Sequence, residues 1–162
     1  MDLMLLVAQA VNLGFITLWL SIGLRDNILY PSINETFTAE VLDLTRMRQD
    51  YPSCHDQMAQ RRVQGRAAQR RVFWLAVAWE ALTVLALWIA LLAMAAALSG
   101  WVEAETARVI AMAAALMFTA TWAGFLVIGN HFAYWLCHDG AQNTHYQMML
   151  WGLGTMILLV SG

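Results

Sequence analysis

Long apolar runs separated by two polar segments set the pattern of this chain. The sharpest run extends from Val72 to Leu98, about 27 residues with Glu80 as the single charge. A helix needs roughly 20 apolar residues to cross the ~30 Å hydrocarbon core of a bilayer, so this run predicts a transmembrane helix. Three further runs follow the same rule. Leu3–Leu24 is broken only by Gln9, Asn12 and small hydroxyl residues. It lacks the basic n-region and small-x-small cleavage site of a signal peptide and reads as a retained span. The third covers about Ala107–Gly129, after a short acidic connection through Glu103 and Glu105. The fourth, Tyr146–Gly162, is about 17 residues long, the lower limit for a span, and no soluble tail is expected after it. The prediction is an all-α membrane protein, one domain over residues 1–162, with spans near 3–24, 72–98, 107–129 and 146–162.

Two polar segments, 25–71 and 130–145, fall on the same side of that membrane. Ser32-Ile33-Asn34-Glu35 after Pro31 has the form of a capping box. Ile33, Phe37, Val41 and Leu44 then share one face, which predicts an amphipathic helix in the interface. Pro52 ends that pattern. A second helix is expected from Asp56 to Arg71 on the membrane surface, with Arg62, Arg66 and Arg70 four apart as lipid-facing cations. The segment 130–145 carries Phe132, Tyr134 and Trp135 and reads as interfacial or re-entrant, its backbone covered by protein or water. Small residues recur at packing spacing along the spans, for example Ala86 with Ala90, Ala107 with Ala111 and Ala115, and Ala120 with Gly124.

Composition agrees with this class: 60% of the 162 residues are hydrophobic and 12% charged, outside the range of soluble domains. Eight Trp suit interfacial belts. Lys is absent, and eight of the nine Arg lie between Arg25 and Arg71. The positive-inside rule therefore places both polar segments in the cytoplasm and both termini outside. No nucleotide, phosphate-cradling, Ser-His-Asp or HExxH signature is present. Membrane-proximal Arg suit anionic headgroups better than nucleic acid, so no nucleic-acid partner is expected.

Few residues offer chemistry. Glu80 lies roughly 13 Å along the helix from Arg71. An ionisable group at that depth is a ligand or proton-handling candidate. The structural alternative is a neutral carboxyl donating a hydrogen bond to Asn12, Thr119 or Trp122 of a neighbouring span. His131, His138 and His145 recur at seven-residue spacing, which raises haem ligation by His131 and His145. Gly140 and Asn143 interrupt that face, and bis-His haem needs two facing helices. Cys-His-Asp occurs twice, at Cys54-His55-Asp56 and Cys137-His138-Asp139. The pair suggests a zinc site or a Cys54–Cys137 disulfide, although adjacent Cys and His chelate one metal awkwardly. Coincidence is the expected explanation, and no cofactor is expected.

Several segments together resemble a proteobacterial family of predicted small integral membrane proteins, domain-of-unknown-function family 2165. They are Trp79-Glu80-Ala81-Leu82-Thr83, then Trp122, Gly124, Phe125, Ile128 and Gly129, then Phe132-Ala133 with Trp135, and Gly140-Ala141-Gln142. Asn27 and Tyr30 after the first span also fit. The resemblance covers most of the chain in order; it implies a four-span fold and no activity. Members carry basic residues at the N-terminus and in the second loop, which implies an outside first loop. Asp2, Glu103 and Glu105 occupy those places here.

The functional expectation is a non-catalytic accessory or assembly subunit of a larger bacterial inner-membrane complex of respiratory or photosynthetic type. Its partners would be the lipid bilayer and other integral membrane subunits. The alternatives are a small proton-coupled transporter built around Glu80, or a haem- or quinone-binding electron-transfer subunit.

Overall fold

The computed structural model describes residues 3–161, with no strand among them. Asp2 and Gly162, which the sequence places in the N-terminal flank and at the end of the fourth span, lie outside the described residues. The helices are α1 (Leu3–Leu29), α2 (Pro31–Leu42), α3 (Thr45–Asp50), α4 (Pro52–Met58), α5 (Arg66–Leu98), α6 (Ala104–His131) and α7 (Asp139–Val160). Short 3-10 turns cover Ala59–Arg61 and Tyr134–Leu136. Three of the helices, α1, α5 and α6, are each long and apolar enough to cross a membrane.

The helices outrun the apolar runs that predict them. Hydropathy marks where a helix can lie in lipid, whereas the backbone ladder continues into water until a residue stops it. Pro31 and Pro52, each at the first helical position, begin α2 and α4, where a missing N–H costs nothing. Gly65, with φ of 89°, turns the chain into α5. With 33 residues, α5 is about 50 Å long and overhangs the ~30 Å core.

Four local expectations are corrected. Ser32 does not cap α2: Tyr30 holds that position without a side-chain bond, and Glu35 turns instead to Arg66 and Arg70. The stretch Asp56–Arg71 is not one helix, because α4 ends at Met58 and the chain is non-helical over 62–65. Arg62 thereby leaves the face it was to share with Arg66 and Arg70. On α2, Ile33 and Phe37 are exposed while Ala39 and Leu42 are buried, so the side that packs on the protein is not the predicted Ile33–Phe37 face. The segment 130–145 is mostly helix ends: α6 runs to His131 and α7 starts at Asp139, with Gly140 and Asn143 tolerated inside its first turns.

The long helices and α7 lie side by side. Their common core joins Leu13, Ile16 and Leu20 of α1, Leu87 and Met94 of α5, Ala111 and Phe118 of α6, and Met148 and Leu159 of α7. The small-residue stripe of α6 is used where helices meet, since Ala107, Ala111 and Ala115 are fully buried. Ala120 is exposed and Gly124 has open space beside it. A second, smaller core caps one end: Leu42, Leu44 and Met47 from the first polar segment meet Phe132 and Ala133 from the second. Arg46 and Arg61 bridge the same two segments by donating to the carbonyls of Cys137 (3.1 Å) and His131 (2.9 Å). Trp74 and Trp135 are exposed near this cap, and Trp101 is 87% exposed at the opposite α5–α6 turn.

Gly152 sets the closest approach of α7 to α6, because a Cβ there would collide with the Thr119 hydroxyl and press on Phe118. Gly152→Ala should cost about 1–3 kcal/mol, the usual range for overpacking. Gly154→Ala, two residues on with nothing near its Cβ position, should be neutral or slightly stabilising. Thermal unfolding of both variants in detergent checks this; equal midpoints would show that the helices are not in close contact at Gly152.

Candidate functional site

The buried polar groups divide between the interior of the helix bundle and its cap end. Glu80 projects from the buried face of α5, beside Val77 and Thr83, and is 7% exposed. Its Oε2 accepts a 2.8 Å hydrogen bond from the Asn27 amide in the last turn of α1. Asn27 Oδ1 in turn accepts a 2.6 Å bond from the amide of Asn34 on α2, which is exposed. One residue on, the Glu35 carboxylate receives Arg66 at 3.2 Å and Arg70 at 3.7 Å, both from the overhanging start of α5. The result is a polar clamp: α1, α2 and α5 meet through two asparagines, two carboxyls and two guanidiniums.

Two expectations about Glu80 change here. Its partner is Asn27, not Asn12, Thr119 or Trp122, and the carboxyl accepts rather than donates. For Asn12 the reason is level. Glu80 lies beside the end of α1, whereas Asn12 is 15 residues, roughly 22 Å, further along that helix. Asn12 instead joins α1 to α7, donating to Thr155 Oγ1 at 2.7 Å and accepting from Trp151 Nε1 at 3.1 Å. Thr119 bonds its own helix at the Ala115 carbonyl. The Trp122 ring lies against Phe118, Phe125 and His145, its buried N–H without a protein partner. Glu80, Asn12 and Trp122 thus do not converge on one site.

The three cations read as lipid-facing each have an acidic partner within the protein. Arg62 grips Asp43 at 2.7 Å and its carbonyl at 3.1 Å, while Arg66 and Arg70 share Glu35. The paired Cys-His-Asp triplets come to the same cap, where Cys54 and Cys137 adjoin one apolar cluster as free thiols. Burial, then the charge of Asp50, pushes the Cys137 thiol up. His55 lies against Asp56 at 3.4 Å, and His138 edges onto Phe37. Among the described residues, no three His, Cys, Asp or Glu side chains are grouped to hold a metal, and Cys54, His55, Cys137 and His138 are not gathered into one ligand set. His131 and His145 do not face one another as haem ligands. The His131 ring touches Phe132, whereas His145 is enclosed by Trp122, Phe125 and Tyr134.

Sequence reasoning missed Asn27, Asn34 and Glu35 as Glu80's surroundings. Asn27 and Asn34 lie on either side of the break at Tyr30–Pro31, so no single helical face in the sequence links them.

The architecture is that of a polytopic helical membrane protein. The chain belongs to the family described as predicted small integral membrane protein (DUF2165), whose model matches residues 5–161. No curated protein and no solved structure matches the chain.

The clamp predicts graded effects at Glu80. Glu80→Gln keeps an acceptor for Asn27 and should leave stability near wild type. Glu80→Leu strands the Asn27 amide and should cost about 0.6–2 kcal/mol, the range for interhelical hydrogen bonds in lipid. Equal unfolding midpoints for the two variants in detergent would remove Asn27–Glu80 from the fold's supports.

A pH dependence follows at the cap. Burial, helped by Arg46 and opposed by Glu40, pulls the His138 imidazole below its ordinary value. The unfolded chain therefore takes up this proton first. The stability His138 contributes is intact above about pH 6.5 and declines as pH falls below it. Unfolding midpoints should drop from pH 7.5 to 5.5 in the wild type and drop less in His138→Gln; an identical drop would exclude His138 as a source.

Proposed function

We propose that the chain is a single four-span domain acting as a non-catalytic accessory or assembly subunit of a larger bacterial inner-membrane complex. The fourth span is α7, whose 22 residues are about 33 Å long and reach the hydrocarbon thickness. The observation that carries the reading is the destination of polar side chains along the long helices. Glu80 is tied to Asn27, Asn12 to Thr155, Trp79 to Thr121 and Trp88 to Ser21, each bond joining one helix to another. Groups with a part in chemistry would instead converge on a cavity. The small enclosed space at the cap, about 10 Å³ between Val41, Met47, Phe132 and His138, has room for about one water.

The reading is tested by purifying the tagged protein in mild detergent. Stoichiometric co-elution with integral membrane proteins supports it, and the same complex should survive Glu80→Gln. An isolated monomer at every detergent strength opposes it. Orientation enters the same reading, with the Arg-rich cap cytoplasmic. An impermeant thiol reagent should then label neither Cys54 nor Cys137 in intact cells and reach them in inverted vesicles. Labelling in intact cells reverses the orientation.

One observation favours a proton-coupled role as the second reading. The Glu80–Asn27–Asn34 chain leads from a buried carboxyl to an exposed amide. If Glu80→Gln assembles normally but abolishes a cellular phenotype that Glu80→Asp retains, the carboxyl is the working group.

A further inference from the structure

The first turns of α5 have two unlike faces. One side is buried in the protein through Gln69, Phe73 and Val77. The other is bare: Ala67, Arg70, Arg71, Trp74 and Leu75 are all exposed and form one open stripe along the helix surface. These positions follow the 0, 3, 4, 7, 8 spacing of a single helical stripe.

Three guanidiniums, those of Arg66, Arg70 and Arg71, stand in these two turns against one carboxylate, Glu35, which Arg66 and Arg70 already share. Among the described residues no acidic side chain pairs with Arg71. The stripe therefore carries excess positive charge at the border of the apolar run Val72–Leu98. One turn further in, Trp74 presents an indole whose N–H makes no hydrogen bond among the described residues, and Leu75 beside it is 71% exposed. Small Ala67 leaves the space above the two arginines open.

We propose that this stripe is a binding site for a single anionic phospholipid of the surrounding leaflet. The order of chemistry along the helix matches such a molecule from head to tail. The phosphate sits between Arg70 and Arg71, where bidentate guanidinium contacts favour an oxyanion. The ester region lies at the Trp74 indole, about 5 Å deeper, and the first acyl methylenes run along Leu75. The site goes beyond an accessory role and does not depend on it, since it concerns the lipid face of α5 alone. It also differs from general attraction of the basic loop to a charged surface, because it names one helical stripe and one guanidinium, that of Arg71, without an acidic partner among the described residues.

The test uses the full chain, delipidated in neutral detergent and titrated with phosphatidylglycerol, phosphatidylcholine or inorganic phosphate while bound lipid is counted by native mass spectrometry. The wild type should retain one phosphatidylglycerol in preference to phosphatidylcholine. Arg71→Gln removes a guanidinium with no protein partner and should weaken that binding about fivefold, the equivalent of about 1 kcal/mol per Arg near anionic lipid. Trp74→Leu should weaken it too, through loss of the indole donor. Arg48→Gln, the same charge change on α3, should leave it unaltered. The site is overturned if phosphatidylcholine binds equally, if Arg48→Gln weakens binding as much as Arg71→Gln, or if both stripe variants bind like wild type. Equally strong binding of inorganic phosphate alone would assign the stripe to a free anion and reject the lipid.

Discussion

A polar side chain buried between helices in a bilayer has no water to fall back on, so it bonds either its own backbone or a group on a neighbouring helix. The Glu80–Asn27 bond is the strictest instance here, because it fastens the middle of α5 to the last turn of α1. Apolar packing alone would not set that level. Alanine-rich surfaces such as Ala107, Ala111 and Ala115 present nearly the same relief after every turn, and sliding by one turn would lose little contact. Directional bonds remove the ambiguity. Trp88 with Ser21 repeats the α1–α5 register further along, Trp79 with Thr121 sets α5 against α6, and Asn12 with Thr155 closes α1 onto α7. Gly152 completes the last contact by letting α6 and α7 approach closely.

The register of α1 and α5 decides what stands outside the bundle. Because Glu80 is level with the end of α1, the first fourteen or so residues of α5 overhang it, and α2 lies along them. The cap is built on that overhang. Arg62 holds Asp43, the Val63 N–H donates to the Leu42 carbonyl, and the α6–α7 connection folds in through Phe132 and Ala133. Buried polar pairs inside the bundle and ion pairs on the cap thus serve one purpose, the mutual placement of helices.

The fold was legible wherever one sequence window carries the signal. Val72–Leu98 announces a helix by itself, and the sharing of a side by 25–71 and 130–145 follows from the order of the apolar runs. The helix ends were less legible, because Arg66–Arg71 and Asp139–His145 are polar enough to look like loop, yet the backbone ladder accepts them. The partner of Glu80 was illegible for another reason. It depends on how far α1 slides past α5, and that offset is encoded by pairs of residues 53 positions apart, not by either helix alone. Asn12 matches in polarity but is wrong in level, and Trp122, near the level of the Trp79–Thr121 bond, packs against Phe118, Phe125 and His145 instead. The twin Cys-His-Asp triplets show the converse, a repeat conspicuous in sequence whose members share a cap without gathering into a ligand set.

The cap also imposes an order on synthesis. Its two halves are far apart in the chain: Arg46 waits for the carbonyl of Cys137, 91 residues later. At 5–20 residues per second, translation of that interval takes roughly 5–20 s. Throughout it, Leu42, Leu44 and Met47 have been made but lack Phe132 and Ala133 to cover them. During biogenesis the first polar segment is thus a half-built joint with an apolar face open to chaperones, proteases or the insertion machinery. Its closure marks the moment at which the α6–α7 hairpin has arrived in its place.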